Sequence, residues 1–154
     1  MNPRLNFIKL SNNSYKAMAA LEATFAQNSI EKPLRELVKL RASQINGCAY
    51  CIDMHWKDAR AAGETEQRLY GLDAWEESPY YTDRERAALH WTESLTRITE
   101  GHVPDAVYDQ VRSHFTDQEL SDLTWIASAI NMWNRLAISM RSPAGSYQPP
   151  KQTG

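Results

Sequence analysis

The two cysteines of this chain stand three residues apart in Asn46-Gly47-Cys48-Ala49-Tyr50-Cys51-Ile52-Asp53-Met54-His55, and a histidine follows four residues after the second. Residues of these types at this spacing could form a dithiol that cycles through a disulfide. They could also be three of the four ligands a closed zinc site needs, or two small buried hydrophobes. Asn46-Gly47 is a helix stop, so the next segment reads as a helix that begins at Cys48 and carries both cysteines in its first turn. Side chains three apart there share a face and can bring two sulfurs to bonding distance. The free amide hydrogens and positive end of a helix N-terminus favour thiolate over thiol. They can lower a cysteine's usual value of about 8.5 by a unit or more.

His55 lies one turn beyond Cys51 on the same face, and an imidazole with an ordinary value of about 6.5 can take a thiol proton and hand it on. A carboxylate would orient that ring. Glu36, twelve residues before Cys48 and set among Leu37, Val38 and Leu40, is the candidate, although spacing does not fix where it points. The zinc reading lacks a fourth ligand. No second Cys or His pair follows at finger-like spacing, and His90, His102 and His114 fall on separate segments, so no metal is expected.

The elements that must position these residues are helical. Tyr15, Met18, Leu21 and Phe25 make one apolar stripe; Leu34, Leu37, Val38, Arg41 and Ile45 mark a second helix that ends at Asn46-Gly47. The cysteine helix should run to Ala62 before Gly63, with a short helical piece at 64–70 after it. Thr82-Asp83-Arg84-Glu85 and Thr116-Asp117-Gln118-Glu119 are capping boxes, opening one helix to about Ile98 and a long final helix. Pro104 can seat the helix between them, to about Phe115. The fold class is therefore all-α, a single helical domain over residues 1–141 with a Cys-x-x-Cys at a helix N-terminus. The proline- and glycine-rich residues 142–154 read as a flexible C-terminal tail.

Net charge is −2 with a pI near 6.1, so no nucleic acid and no membrane surface is an expected partner. The first residues lack the apolar core of a signal peptide, and no run is long enough to span a bilayer. The expected location is cytoplasmic, where a structural disulfide is unusual and a paired Cys-x-x-Cys is reactive or metal-binding. A thioredoxin-type motif would follow a strand, and nothing here reads as that strand.

Glu36, the run Arg41-Ala42-Ser43-Gln44-Ile45-Asn46-Gly47-Cys48-Ala49-Tyr50-Cys51, and His55 together resemble the core of the alkylhydroperoxidase D-like proteins of the carboxymuconolactone decarboxylase superfamily. The segment from Asp122 to Arg135, ending Ile130-Asn131-Met132-Trp133-Asn134-Arg135, is similar to the final core helix of the same group. The resemblance spans about Leu34 to Met140. It implies an all-helical homo-oligomer, a trimer or hexamer, that reduces hydroperoxides as an oxidoreductase. In that pattern Cys51 attacks the hydroperoxide, Cys48 closes the disulfide, and His55 with Glu36 forms the proton relay. No cofactor is bound. An external dithiol reductant, in some relatives a lipoyl-bearing protein, reopens the bond, with exchange expected at Cys48 as the more exposed sulfur.

One position departs from the best-studied pattern, which has a histidine just before the second cysteine. Here Tyr50 stands in its place. A phenol titrates near ~10 and cannot cycle a proton at neutral pH, but it can donate a hydrogen bond to a thiolate or a peroxide oxygen in a supporting, substrate-binding role. Asn131, Asn134 and Arg135 form a polar stripe that reads as a cross-link between helices, as do Arg41 and Ser43. The five tryptophans read as core or interface. Two further functions stay open: decarboxylation of a lactone acid, which needs no dithiol, and a non-catalytic redox-sensing assembly module.

Overall fold

A computed structural model describes residues 2–150, and among them there are helices and turns but no strands. In chain order the helices are α1 (Phe7–Leu10), α2 (Asn12–Thr24), α3 (Lys32–Asn46), α4 (Ala49–Ala61), α5 (Glu66–Tyr70), α6 (Asp83–Thr96), α7 (Asp105–Arg112) and α8 (Asp117–Met140). Single 3₁₀ turns lie at Phe25–Gln27 and Gly71–Ala74. None of the helices is long and apolar enough to cross a membrane.

Local chemistry sets the boundaries. Both capping boxes form: the Thr82 and Thr116 hydroxyls accept from the amides of Glu85 and Glu119, whose carboxylates accept in return from the threonine amides. Such a cap is worth about 1 kcal/mol. Pro104 sits one residue before α7, where its missing N–H costs nothing. The helix ends are earlier than periodicity suggests. Arg97 (φ −99°, ψ 41°) leaves helical geometry and closes α6 at Thr96, while α7 stops at Arg112 and a turn then delivers Phe115 to the core.

α3 is the central element, packed against α4, α6 and α8. Leu34, Leu37, Val38, Leu40 and Ala42 are all at most 1% exposed. Burying an aliphatic side chain of this size contributes roughly 1.5–3 kcal/mol, so this helix anchors the rest. Two apolar clusters flank it. One is built from Leu34, Val38, Trp91, Leu123 and Ile126, the other from Leu37, Leu40, Leu69, Leu72 and Leu89.

Unusually for a core helix, α3 also buries Glu36, Lys39, Arg41 and Ser43. Arg41 Nε donates to Glu93 Oε1 at 2.7 Å, and the Trp75 indole N–H reaches the same oxygen at 2.7 Å. Burial works to raise the Glu93 carboxyl, but the bonds from Trp75 and Arg41 hold it below the usual carboxylate range. Asn46 Nδ2 donates to the Oδ1 atoms of Asn131 (2.9 Å) and Asn134 (2.8 Å), Asn134 Nδ2 to Ser43 Oγ (3.1 Å), and Asn131 Nδ2 to Thr96 Oγ1 (3.0 Å). The asparagine stripe thus ties α3, α6 and α8 together. Trp75 and Trp91 are buried, whereas Trp125 is 57% exposed on the outer face of α8.

Residues 151–154, part of the expected flexible tail, lie outside the described residues. Residues 143–147 lie along α4. Gly145 N donates to Asp53 Oδ2 (3.1 Å), Lys57 Nζ donates to the carbonyls of Gly145 (3.3 Å) and Tyr147 (3.0 Å), and the Tyr147 hydroxyl donates to Asp58 Oδ1 at 2.7 Å.

Candidate functional site

Gly47 ends α3 in the left-handed conformation (φ 69°), which an L side chain adopts only at a cost. That turn sets Cys48 in extended geometry, so it is the N-cap of α4 rather than a residue of the first turn, and the helix proper begins at Ala49. The sulfur takes the place of the usual capping oxygen: Cys51 N donates to Cys48 Sγ, with N···S 3.4 Å. The two cysteines are joined as a disulfide, with their Cα atoms 5.3 Å apart. Both are buried, Cys48 at 1% and Cys51 at 2% exposure. Exposure therefore does not single out Cys48 as the outer sulfur, because α8 and Tyr50 pack over both.

His55, on the second turn of α4, is 4% exposed, and its Nδ1 lies 2.9 Å from Oε2 of the buried Glu36. α3 and α4 run side by side here, which brings residues 19 apart in sequence together. A carboxylate on Nδ1 fixes the ring and leaves Nε2 as the nitrogen free for proton exchange. Cys51, His55 and Glu36 line one cavity of about 460 Å³ between α2, α3, α4 and α8. Tyr15, Met54 and Trp133 give it apolar walls, and Tyr50 stands half-buried at its edge.

Four further ionisable groups line this cavity and drew no attention in the sequence. Lys39 is 6% exposed and its ammonium pairs with Glu22 of α2, which also accepts from the Trp133 indole. Burial pulls the Lys39 ammonium down to about 8, against the opposing charge of Asp58. Asp58, one turn beyond His55, is pushed up chiefly by burial, with the Glu36 charge adding to the rise and the Tyr147 hydrogen bond opposing it. Tyr147 itself is pushed up by burial and by Asp58. Two of the four had a partial signal: Lys39 and Asp58 fall three residues from Glu36 and His55, on the same helix faces. Glu22 and Tyr147 had none, because their partners are distant in sequence.

Glu36, His55 and Asp58 offer ligand atoms that all lie within 4.8 Å of one another, the one such group of three among the described residues. Three donors with an open position would suit a catalytic metal. In this protein each carboxylate already has an internal partner, His55 for Glu36 and Tyr147 for Asp58. The histidine–cysteine zinc set read from the sequence is not the group that converges, since the two sulfurs are bonded to each other.

Residues 14–94 match the carboxymuconolactone decarboxylase family. The chain is 44% identical to the uncharacterized protein YdfG of Bacillus subtilis over 146 residues, 95% of this chain and 99% of that one. It is 31% identical to the uncharacterized protein YnjA of Escherichia coli over 119 residues, 77% of this chain and 64% of that one. Among solved structures, a protein of unknown function from Agrobacterium tumefaciens, a candidate antioxidant defence protein AhpD, superposes with a TM-score of 0.91. The two share 42% identity over 95% of this chain and 100% of that one.

Proposed function

The chain belongs to the carboxymuconolactone decarboxylase family as an alkylhydroperoxidase D-like protein, and from that premise we propose that it is a thiol-dependent peroxidase. It cycles through the Cys48–Cys51 pair, with His55 and Glu36 as proton relay. The observation that supports this reading best is the cavity that Cys51 shares with a buried imidazole whose Nδ1 is held by Glu36 at 2.9 Å.

In the reduced protein His55 takes the Cys51 proton, and the resulting thiolate attacks the distal oxygen of a hydroperoxide. The O–O bond breaks, the alkoxide takes the proton back from His55 and leaves as an alcohol, and Cys51 becomes a sulfenic acid. Cys48 displaces hydroxide from that sulfur, water leaves, and the disulfide closes before further oxidation. Tyr50, at the cavity edge, can donate a hydrogen bond to the departing oxygen. An external dithiol, free or carried on a lipoyl-bearing protein, then restores the two thiols by exchange.

The test is turnover of an organic hydroperoxide with a dithiol reductant. Activity should vanish in both Cys48→Ser and Cys51→Ser, and a fully active Cys51→Ser protein would end the proposal. Lactone decarboxylation needs no dithiol, and retained turnover of a lactone acid in the double serine variant would revive it. We also propose a cytoplasmic homo-oligomer, a trimer or hexamer. Its support is the exposed apolar surface at Leu5 (57%), Leu10 (69%) and Trp125 (57%), with no buried residue on α1 or α2. Light scattering checks it, and a monomer would refute it.

A further inference from the structure

The thiol cycle leaves one buried nucleophile of the cavity unused. Lys39 lines the same space of about 460 Å³ as Cys51 and His55 and is 6% exposed. Its ammonium has one hydrogen-bonding partner among the described residues, the Glu22 carboxylate of α2, and stands 5.6 Å from the Phe25 ring centroid. Glu22 also accepts from the Trp133 indole at 3.3 Å. The walls that α1, α2 and α8 supply are apolar or aromatic, with Phe7, Ile8, Tyr15, Ala19 and Trp133 among them. A lysine in such a place loses the water that would solvate its charge, so the neutral amine, the form that attacks a carbonyl carbon, is populated near neutral pH. Here burial brings the ammonium down to about 8. An anion gains little from this site, because Glu22 already balances Lys39 and two more acids, Glu36 and Asp58, line the space. What suits it is a neutral ligand that reacts with an amine beside a carboxylate able to carry protons.

We propose that Lys39 is a second reactive centre, which holds neutral apolar aldehydes in this cavity as an imine. The step uses no thiol and does not rest on the peroxidase reading. Lys39 passes a proton to Glu22, and the nitrogen lone pair attacks the carbonyl carbon. The electron pair of the C=O π bond moves to oxygen, which takes the proton from Glu22. A second proton then moves from nitrogen to Glu22 and on to the new hydroxyl, which leaves as water while the C=N bond forms. Nothing is oxidised or reduced: one aldehyde is bound and one water is released, and the same steps in reverse free the ligand. The product is an iminium, so a positive charge still faces Glu22. A cavity of this volume is in the range that takes a small organic ligand, and its aromatic walls suit the aldehyde's carbon body.

The test uses the full chain in its disulfide form at neutral pH, with no peroxide and no thiol. Hexanal is added with cyanoborohydride, which reduces an iminium to a stable secondary amine, and peptide mass analysis locates the hexyl group. Lys39 should be labelled at least about tenfold faster than the exposed Lys9, Lys16 and Lys32, because an amine titrating at about 8 is neutral far more often than one at the ordinary ~10.4. Glyoxylate, an anionic aldehyde, should show no such preference for Lys39. Glu22→Gln keeps an acceptor for Lys39 and Trp133 but cannot carry the protons. It should slow labelling of Lys39 by hexanal about tenfold and leave the surface lysines unchanged. Equal hexanal rates at Lys39 and the surface lysines, an equal preference with glyoxylate, or a wild-type rate in Glu22→Gln would overturn the proposal. Peroxide turnover without a Lys39 adduct would sink this inference alone, and an adduct without turnover would sink only the peroxidase reading.

Discussion

α3 carries two polar clusters through one core, and they are built from different chemistry. Toward its C-terminal end, Ser43 and Asn46 meet Asn131, Asn134 and Thr96 in a set of amides and hydroxyls. One to two turns earlier, Glu36 and Lys39 meet His55, Asp58 and Glu22, all of which can gain or lose a proton. The first set has no group that changes charge near neutral pH. Its bonds, with the Arg135 guanidinium donating to Asn131 Oδ1 at 3.1 Å, hold three helices in register, as buried networks do when every member is satisfied. The second set lines a hollow, and burial moves Lys39 and Asp58 away from their ordinary values. Burial of polar groups alone thus does not mark a site; burial of groups whose charge can change, beside a space, does.

Substitution should separate the two clusters. The largest effect is expected for His55→Asn, which removes the base while an amide can still bond Glu36. Hydroperoxide turnover should fall about 1,000-fold, roughly 4 kcal/mol of barrier, with the helical spectrum unchanged. A loss of less than tenfold would move His55 out of the relay. Asn134→Ala should do the reverse. It leaves Ser43 and Asn46 each short of a partner in a place that is 0% exposed at Asn134, so denaturant unfolding should show a loss of about 3 kcal/mol. The pH profile of turnover should keep its shape.

The third test uses pH. The Lys39 ammonium titrates at about 8 when folded and near its ordinary 10.5 when unfolded. Between those values the unfolded chain holds more protons, so stability should rise with pH there. From pH 8 to pH 10 the gain should be about 2 kcal/mol relative to Lys39→Met, in which the slope disappears. Measurement must stop near pH 10, because burial holds the Tyr81 hydroxyl up at about 12, and above pH 10 that group reverses the trend. Asn134→Ala should parallel the wild type across the whole range. Equal slopes in the wild type and the lysine variant would show that Lys39 is not buried in solution.

Much of this architecture was legible in sequence because it is local. The Asn46-Gly47 stop, the Cys48–Cys51–His55 spacing and the boxes at Thr82 and Thr116 act over a turn or two, and the described residues form those elements. The asparagine stripe was legible as a cross-link because polar residues at helical spacing on an apolar helix need partners. Glu36 could be suspected but not aimed, since its direction depends on how α3 packs against α4. The Glu22–Lys39 pair and the Asp58–Tyr147 bond, 89 residues apart, were invisible for the same reason. Tyr147 also sits in a segment whose prolines and glycine lack helical or strand periodicity. Backbone bonds also hold it on α4, with Lys57 Nζ donating to the Gly145 and Tyr147 carbonyls and Gly145 N donating to Asp53.

Tyr147→Phe is the mildest of these tests and sharpens the contrast most. The phenol bonds an Asp58 carboxylate at 2.7 Å and is not itself within the relay. Its loss should cost about 1 kcal/mol where Asp58 is ionised, and less once that carboxyl is protonated and accepts more weakly. Burial has pushed the Asp58 titration up, so the cost should fade as pH drops through a range higher than that of an ordinary aspartate. The wild-type-minus-variant stability difference, measured by urea unfolding from pH 7 down to pH 4, reads this directly. A difference constant over that range would mean that the bond is a neutral tether like those of the asparagine cluster. A fading difference would mean that the C-terminal segment is tied to the titrating half of α3, and that docking this strand of chain is linked to the charge beside His55.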